Sequence, residues 1–172
     1  MNCQNLAIIL EYKNDNKEDS YKKSVKISNG SSYKKKFAAG DPVLSFIGAG
    51  NYASRVLIPS FKKTNAIFHS ISSKTGKNTN YLGKKFGFSI ATTDTENLIN
   101  DNISNAIIIS TRHDSHAQLV IKSLKSGKHV FVEKPLCLSL EELSEIKNHL
   151  SDNQILMVGF NRRFAPLIKK IK

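Results

Sequence analysis

The sequence has no tryptophan and, in 172 residues, only two cysteines, Cys3 and Cys137. Because they lie far apart and belong to neither a CxxC pair nor a Cys/His cluster, they indicate neither a disulfide framework nor a zinc site. No apolar run approaches the ~20 residues of a membrane-spanning helix, and the start, MNCQNLAIIL, lacks the basic region and long apolar core of a signal peptide. We therefore expect a cytoplasmic protein without a membrane partner.

Arginine is scarce as well. Four of the 26 basic residues are arginines, so the net charge of +12 comes almost entirely from lysines scattered along the chain. A charge of this size suits nucleic acid, but the sequence contains neither zinc-finger spacing nor an aromatic-basic ribonucleoprotein motif. We interpret the lysines as a solvated surface that also favours anionic ligands, and we expect no nucleic-acid partner. A nucleic-acid-binding domain is kept as an alternative that a salt-dependent gel shift would reveal.

The most informative stretch is VLSFIGAGNYA at residues 43–53, an apolar run that leads into glycines and then a helix. This is how a dinucleotide-binding fold begins, because the chain must turn tightly and let a pyrophosphate approach bare backbone at a helix N-terminus. A glycine-rich turn of this kind also arises from packing alone, so motifs elsewhere in the sequence are needed to support a dinucleotide site. The cofactor contacts expected here come from Gly48, Ala49, Gly50, Asn51, Tyr52 and Ala53.

From residue 43 onward, apolar strands alternate with amphipathic helices, which predicts an α/β fold with a doubly wound parallel sheet. The predicted strands are 43–47, 67–72, 88–91, 106–110, 129–132 and 155–158. The predicted helices are 51–63, bent by Pro59, then 81–86, 95–100 after an Asp94 cap, 116–126, 140–150 after a Ser139 cap, and one starting near Arg162. Ligands of such sheets bind at the carboxyl ends of the strands.

Residues 1–40 differ from the rest because they are polar and rich in lysine, with too few apolar residues for a core of their own. Leu6–Tyr12 is predicted to form a short strand, and Ser24–Ser28 alternates like an edge strand. This stretch is either an arm of the following domain or the tail of another domain with its linker. Asp41 and Pro42 mark the boundary that we expect between residues 1–40 and a dinucleotide-binding domain of residues 41–172.

The second predicted strand ends at Ser72, Ser73 and Lys74. An enzyme selective for NAD usually has an acid near this point to bind the ribose 2′-hydroxyl, but the sequence has none between Asp41 and Asp94. Two hydroxyls and an ammonium group suit a 2′-phosphate instead, although they are also ordinary loop residues. The cofactor is therefore predicted to be NADP or NAD, with NADP favoured.

Polar residues also follow the next two buried strands. Thr111, Arg112, His113 and His116 follow 106–110; they lack a further suitably spaced ligand, so we expect no metal there. The following strand ends in Glu133, Lys134 and Pro135. A lysine at the end of a buried strand changes its pKa readily, which suits proton transfer at an alcohol or carbonyl, although a salt-bridged surface lysine is the simpler alternative.

Taken together, the GAGNYA turn, the Glu133-Lys134-Pro135 triplet and GFNRRF at residues 159–164 resemble the glucose-fructose oxidoreductase/inositol dehydrogenase/MocA family, over about 43–172. The resemblance implies nicotinamide-dependent chemistry on sugars or cyclitols, with Lys134 as the catalytic residue between nicotinamide and substrate. It implies cofactor contacts by Glu133 and Pro135, a cis peptide bond before Pro135, and cofactor contacts by Thr111 and His116. Arg112 and His113 depart from the residues common in the family, and Asn161 and Arg163 match positions near the nicotinamide.

A narrower resemblance links IGAGNYASRVLIP, TRHDSHA and GFNRRFAP to a subgroup in which this domain follows a zinc-alcohol-dehydrogenase-like domain. It implies that residues 1–40 are the tail of that domain, that a mostly β substrate domain follows, and a role in polysaccharide biosynthesis. The fragment by itself is then expected to be almost inactive.

Two functions remain in competition for the dinucleotide site. The first is an oxidoreductase that moves hydride to or from a sugar, nucleotide sugar or cyclitol, with Lys134 transferring the hydroxyl proton. The second is a module that senses a dinucleotide without chemistry and has no need for a lysine at the hydride end. For the full-length protein we expect a homo-oligomer.

Overall fold

The computed structural model describes residues 23–27, 40–76 and 78–171, so the strand predicted at Leu6–Tyr12 lies outside the described residues. Seven strands form one sheet in the order β1-β4-β3-β2-β5-β6-β7. All neighbours pair in parallel except β1, which is antiparallel to β4. The strands are β1 (Ser24–Lys26), β2 (Val43–Ile47), β3 (Ile67–Ser72), β4 (Ile90–Thr92), β5 (Ala106–Ile109), β6 (His129–Val132) and β7 (Leu156–Val158).

Helices cover both faces of this sheet, which confirms the doubly wound α/β fold. They are α1 (Ile58–Phe61), α2 (Thr79–Phe86), α3 (Thr95–Asn100), α4 (His116–Lys125), α5 (Leu140–His149) and α6 (Pro166–Ile171). On β5, Ile108 belongs to the core under residues 51–61 and α2, while Ile107 and Ile109 belong to the core under α3, α4 and α5. A strand buried on both faces reads as a continuous apolar run, as this one does. Among the described residues, no helix combines the length and the apolar composition that crossing a membrane requires.

The first helix, residues 51–61, contains the predicted irregularity at Pro59 in the form of a π-helical turn, Ala53–Leu57, followed by α1. The amide of Ile58 donates to the carbonyl of Ala53, five residues earlier. Proline has no amide hydrogen, and in a regular α-helix its ring presses on the carbonyl four residues back, here that of Arg55. The wider turn relieves this contact. We call residues 51–61 the glycine-turn helix.

β1 belongs to this sheet although it precedes the boundary expected at Asp41. Its register places Ser24 opposite Thr92 and Lys26 opposite Ile90. Ile27, directly after β1, is 4% exposed and packs so closely on Gly83 that a Cβ there would lie 2.2 Å from Ile27 Cδ1. Residues 23–27 therefore contain the edge strand that was expected at Ser24–Ser28, and they pack on this sheet as an arm; the domain boundary at Asp41 stays a prediction.

Two of the differences from the predicted bounds have local reasons. The strand expected at 88–91 begins at Ile90 because Phe88 closes α2 instead, donating its amide to the carbonyl of Gly83. The last helix begins at Pro166 rather than near Arg162, after a 3₁₀ turn, Asn161–Phe164. Proline suits a first helical position, and it holds the preceding Ala165 extended.

Candidate functional site

The glycine turn, residues 48–50, lies between the carboxyl ends of β3 and β5. Gly48 has φ +107°, its amide donates to the carbonyl of Ser72 at 2.9 Å, and its carbonyl accepts from Ser110 Oγ at 3.2 Å. A Cβ on Gly48 would lie 2.6 Å from the carbonyl oxygen of Ser110, so both the conformation and the space require glycine. A Cβ on Gly50 would meet nothing within 4 Å, so the turn opens outward there.

The glycine-turn helix presents free amides at this opening. Its first hydrogen bond joins the amide of Ser54 to the carbonyl of Gly50 at 3.0 Å, so the amides of residues 51–53 have no acceptor within the helix. Ala53 is 1% exposed and lets the helix pack against the sheet. The arrangement can hold a phosphate, because amides and helix dipole both favour negative charge.

At the end of β3 the three predicted residues face different surroundings. Ser72 is fully buried with Oγ 3.3 Å from Thr95 Oγ1. Ser73 is half-buried; its amide donates to the carbonyl of Thr92 at 3.4 Å and its Oγ accepts from the amide of Gly76 at 3.2 Å. Lys74 is exposed and forms no ion pair with any residue that the structure describes. Ser73 and Lys74 are thus the two side chains that can meet a ligand here.

The segment after β5 divides into exposed and buried residues. Thr111, Arg112 and His113 line a cavity of about 570 Å³. His116 is fully buried, with Nδ1 2.6 Å from the carbonyl oxygen of Pro135 and Nε2 3.2 Å from that of Thr111. His116 therefore joins the ends of β5 and β6 rather than facing the cavity. In the described part of the chain, no three His, Cys, Asp or Glu side chains gather into a potential metal site.

Lys134 lies at a cationic opening beyond β6. The Lys134–Pro135 peptide bond is cis, which confirms what the resemblance implied. Lys134 is exposed and shares a cavity of about 350 Å³ with Phe160, Asn161, Arg162 and Arg163. Three cations and no carboxylate line this cavity, and none of the three pairs with an acid among the described residues. The cavity is therefore suited to groups that accept hydrogen bonds or carry negative charge.

A larger cavity, about 630 Å³, brings Tyr52, Glu133, Asn161 and Arg163 together. Asn161 Nδ2 donates to Tyr52 Oη at 3.0 Å, which ties the loop after β7 to the glycine-turn helix. Glu133 Oε1 is buried and has no hydrogen-bond partner in the described structure. A buried acceptor of this kind is costly unless a donor reaches it, so a ligand hydroxyl or amide would find a partner here.

Sequence reasoning missed two contributors to these cavities. Arg162 and Phe160 line the cationic opening beside Lys134, although only their neighbours Asn161 and Arg163 were singled out in the GFNRRF motif. Their position follows from the 3₁₀ turn, which presents successive residues to one cavity and leaves no periodic signal in the sequence.

Cys137 lies close to this region and is not suited to act as a nucleophile. It is half-buried, and burial raises the pKa of its thiol, with the nearby Glu142 carboxylate acting in the same direction. The thiolate is the reactive form of cysteine, so a raised pKa keeps this side chain unreactive near neutral pH.

Comparisons with known proteins agree with this geometry. The family profile GFO_IDH_MocA, described as an oxidoreductase family with an NAD-binding Rossmann fold, matches residues 44–160. Myo-inositol 2-dehydrogenase of Thermotoga maritima is 36% identical over 109 residues, covering 63% of this chain and 33% of that protein. This chain thus spans about a third of the length of that relative.

Two solved structures share the fold. Biliverdin reductase from Synechocystis sp. PCC 6803, in complex with biliverdin and NADP+, superposes with a TM-score of 0.69 at 22% identity, covering 76% of this chain and 41% of that one. Scyllo-inositol dehydrogenase from Lactobacillus casei, with NAD(H) and scyllo-inositol, gives 0.68 at 22% identity, covering 76% and 39%. With the family profile matching well over half of the sequence, the chain belongs to the Gfo/Idh/MocA oxidoreductase family and contains its NAD-binding Rossmann domain.

Proposed function

We propose that this chain binds NADP, or less tightly NAD, across the carboxyl edge of its sheet and holds it for hydride exchange with a sugar, nucleotide sugar or cyclitol. The observation that carries the proposal is the glycine turn, where Gly48 fits against the Ser110 carbonyl and the free amides of residues 51–53 face the opening left by Gly50. The four groups of predicted residues follow the carboxyl ends of parallel strands at one edge of the sheet, which is where such sheets bind their ligands.

Each group has a role in this proposal. Residues 48–53 bind the phosphates, and Ser72, Ser73 and Lys74 border the adenosine ribose, with Ser72 acting from inside the sheet. Thr111, Arg112 and His113 border the middle of the cofactor, and His116 fixes Thr111 and Pro135 in place. At the nicotinamide end, the contacts come from Glu133, Lys134, Pro135, Asn161 and Arg163.

Lys134 is the group that we propose moves the proton. NAD(P), when bound, supplies the hydride acceptor or donor at its nicotinamide ring. In the oxidising direction, Lys134 Nζ as a neutral amine accepts the hydroxyl proton of the substrate while the carbon loses hydride; in the reducing direction, the ammonium returns that proton.

The proposal extends to the setting of the domain. The relatives are named for inositol and sugar substrates, which supports a sugar-like substrate here. The cationic opening around Lys134 favours nucleotide sugars within that class. We further propose that a zinc-alcohol-dehydrogenase-like domain precedes residues 41–172, that a substrate domain follows, and that the full-length protein is a cytoplasmic homo-oligomer in polysaccharide biosynthesis, without nucleic-acid or membrane partners.

Fluorescence titration with NADPH and NADH tests the binding step. We expect wild type to bind both, and Gly48→Ala to lose at least tenfold in affinity because the added Cβ collides with the Ser110 carbonyl. Gly40→Ala is the matched control, since Gly40 also has a positive φ, +96°, but has nothing within 4 Å of an added Cβ. Absence of binding by wild type, or equal losses in the two variants with native circular dichroism, would overturn the proposal.

A substitution at Lys134 distinguishes the oxidoreductase from the competing hypothesis, a sensor that binds a dinucleotide without catalysing a reaction. Lys134→Met should leave cofactor binding within about twofold, yet abolish turnover in the full-length protein. Unchanged turnover in that variant would remove Lys134 from the chemistry and favour the sensor or another proton acceptor.

A further inference from the structure

Lys23, at the start of the arm that adds β1 to the sheet, is fixed to the carboxyl end of β4. Its carbonyl oxygen accepts from the amide of Thr93 at 2.8 Å and from Thr92 Oγ1 at 3.0 Å. Next to it, Ser24 Oγ lies 2.7 Å from Thr92 Oγ1. Because β1 runs antiparallel to β4, the first residues of the arm lie at the edge of the sheet where the cofactor is proposed to bind.

The same two threonines also hold the loop that carries Ser73 and Lys74. The amide of Ser73 donates to the carbonyl of Thr92 at 3.4 Å. Gly76, which donates its amide to the carbonyl of Ser73 at 3.3 Å, packs so closely that a Cβ would lie 2.9 Å from Thr93 Cγ2. Lys23 and the Ser73–Lys74 loop are thus attached to opposite sides of one short segment.

The spacing allows the two lysines to reach a common ligand. β1 and β3 are separated by β4, which is two strand spacings or roughly 10 Å. Both lysines are exposed and carry four-carbon stems, so their ammonium groups can approach one anion above the end of β4 from either side.

No carboxylate in the described residues neutralises them. Asp94 follows the threonines but caps α3, accepting from the amide of Asn97 at 3.1 Å and from Asn97 Nδ2 at 2.8 Å. Glu96, the next acid, pairs with Lys122. Neither Lys23 nor Lys74 forms an ion pair with a described carboxylate, so the two lysines outnumber the one carboxylate of Asp94 at the end of β4 and leave it with a net positive charge.

We propose that Lys23 is a further specificity-determining residue of the cofactor site, which holds the 2′-phosphate of NADP together with Ser73 and Lys74. The proposal rests on the proposed function and deepens it. A phosphate monoester carries a charge of nearly −2 at neutral pH and has three acceptor oxygens, enough for an ammonium on each side and the Ser73 hydroxyl. NAD, which ends in a 2′-hydroxyl, gains little from Lys23.

Titration of NADPH and NADH into wild type, Lys23→Ala and Lys26→Ala tests the proposal. Lys26 is the matched control because it is an exposed lysine on the same strand, opposite Ile90 at the far end of β4. We expect Lys23→Ala to weaken NADPH binding five- to tenfold and NADH binding less than twofold, and Lys26→Ala to change both less than twofold. Raising the salt concentration should shrink the Lys23 effect.

Four results would overturn the inference. Equal effects of the two lysine substitutions would show that only the overall positive charge of the protein matters. Equal losses of NADPH and NADH affinity in Lys23→Ala would mean that Lys23 stabilises the fold of the arm. Thermal melting of both variants checks that second case. If the wild type binds both cofactors with equal affinity and Lys23→Ala changes neither affinity, the inference is wrong but dinucleotide binding still holds. A wild type that binds neither cofactor removes the proposed function as well.

Discussion

The half of the sheet around the glycine turn and the half that ends in β7 differ in how well their side chains are covered. Phe46 on β2 is fully buried and contacts the rings of Phe61, Phe68 and Phe88 at centroid distances of 5.5–5.8 Å. Near β7, by contrast, Ile155 is 66% exposed. Similar exposure extends over Met157, Phe160, Phe164 and Leu167. The proposed phosphate-binding end of the site therefore lies on a fully packed core, whereas the proposed nicotinamide end borders an exposed apolar surface.

The two tasks proposed for the domain have different structural requirements. Binding phosphates takes a rigid turn and free amides, which the closed half supplies from within residues 43–110. Hydride transfer also takes a substrate held against the nicotinamide in a cleft that excludes water, and the open half lacks such a cover among the described residues. Five experiments test or extend this comparison of the two halves.

The largest expected effect concerns turnover. Positioning can supply roughly 7–11 kcal/mol of barrier lowering, so loss of half of it slows a reaction by about three orders of magnitude. We expect this chain to bind NADPH with the affinity of the full-length polypeptide but to turn over sugars and nucleotide sugars at least about 10³-fold more slowly. Comparable turnover by both would show that the open half already holds the substrate.

The second prediction compares core substitutions in the two halves. Phe46→Ala should lower the free energy of unfolding by about 3–5 kcal/mol because it empties a fully enclosed site. Met157→Ala, at a half-exposed position on β7, should lower it by less than about 1 kcal/mol. Urea unfolding followed by circular dichroism measures both, and similar costs would contradict the contrast between a closed and an open half.

The third prediction concerns Lys128, a 6% exposed residue before β6 that closes the amino edge of the sheet. Its Nζ donates to the carbonyls of Asp101 and Ser104 at 2.5 and 2.7 Å. Lys128→Met leaves these carbonyls without their donor and should lower the free energy of unfolding by about 1–3 kcal/mol. The exposed Lys125→Met is the control and should stay within about 0.5 kcal/mol of wild type in the same urea titration.

The buried Lys128 should also make the free energy of unfolding depend on pH. Burial lowers its pKa below the ordinary value of 10.5, and the Asp101 carboxylate offsets part of that shift. Between the folded and the unfolded pKa the unfolded chain binds more protons, so stability should rise with pH across that window. The rise should be smaller in Lys128→Met than in Lys125→Met; an identical pH profile would show that Lys128 titrates normally.

The smallest effect concerns Lys74 at the adenosine side. Lys74→Ala should weaken NADPH binding about three- to tenfold, because one exposed charge-assisted contact to the 2′-phosphate is lost, and should leave NADH within about twofold. Isothermal titration calorimetry with both cofactors measures the difference. A wild type that prefers NADH would overturn both this prediction and the NADP preference from which it comes.

Local signals in the sequence predicted many of the strands and helix caps in both halves. Strands β2, β3 and β6 have the predicted bounds, because each is an apolar run with polar or glycine punctuation. The caps were also correct: Asp94 accepts from the amide of Asn97, and Ser139 from that of Glu142. A capping side chain acts within three residues, so the sequence contains the whole interaction.

What the sequence could not predict depends on contacts between distant residues. The place of β1 in the sheet follows from Ile27 filling the space over Gly83, which no local pattern records. The burial of His116 between Thr111 and Pro135 follows from the meeting of two strand ends, while its expected contact with the cofactor stays a prediction. The roles proposed for Lys134, Asn161 and Arg163 stay predictions until a bound cofactor is measured.

The attachment of β1 also has a consequence for the order in which this domain folds and opens. Ser24 and Thr92 are 68 residues apart in the chain, so their pairing must wait until β3 and β4 have assembled. The three residues of this edge strand are exposed, so few contacts other than the packing of Ile27 stabilise it. Its amides should therefore exchange with solvent faster than those of β2 or β5. Hydrogen exchange in β1 would then act as a natural reporter, slowing whenever NADPH bridges the arm to the rest of the molecule.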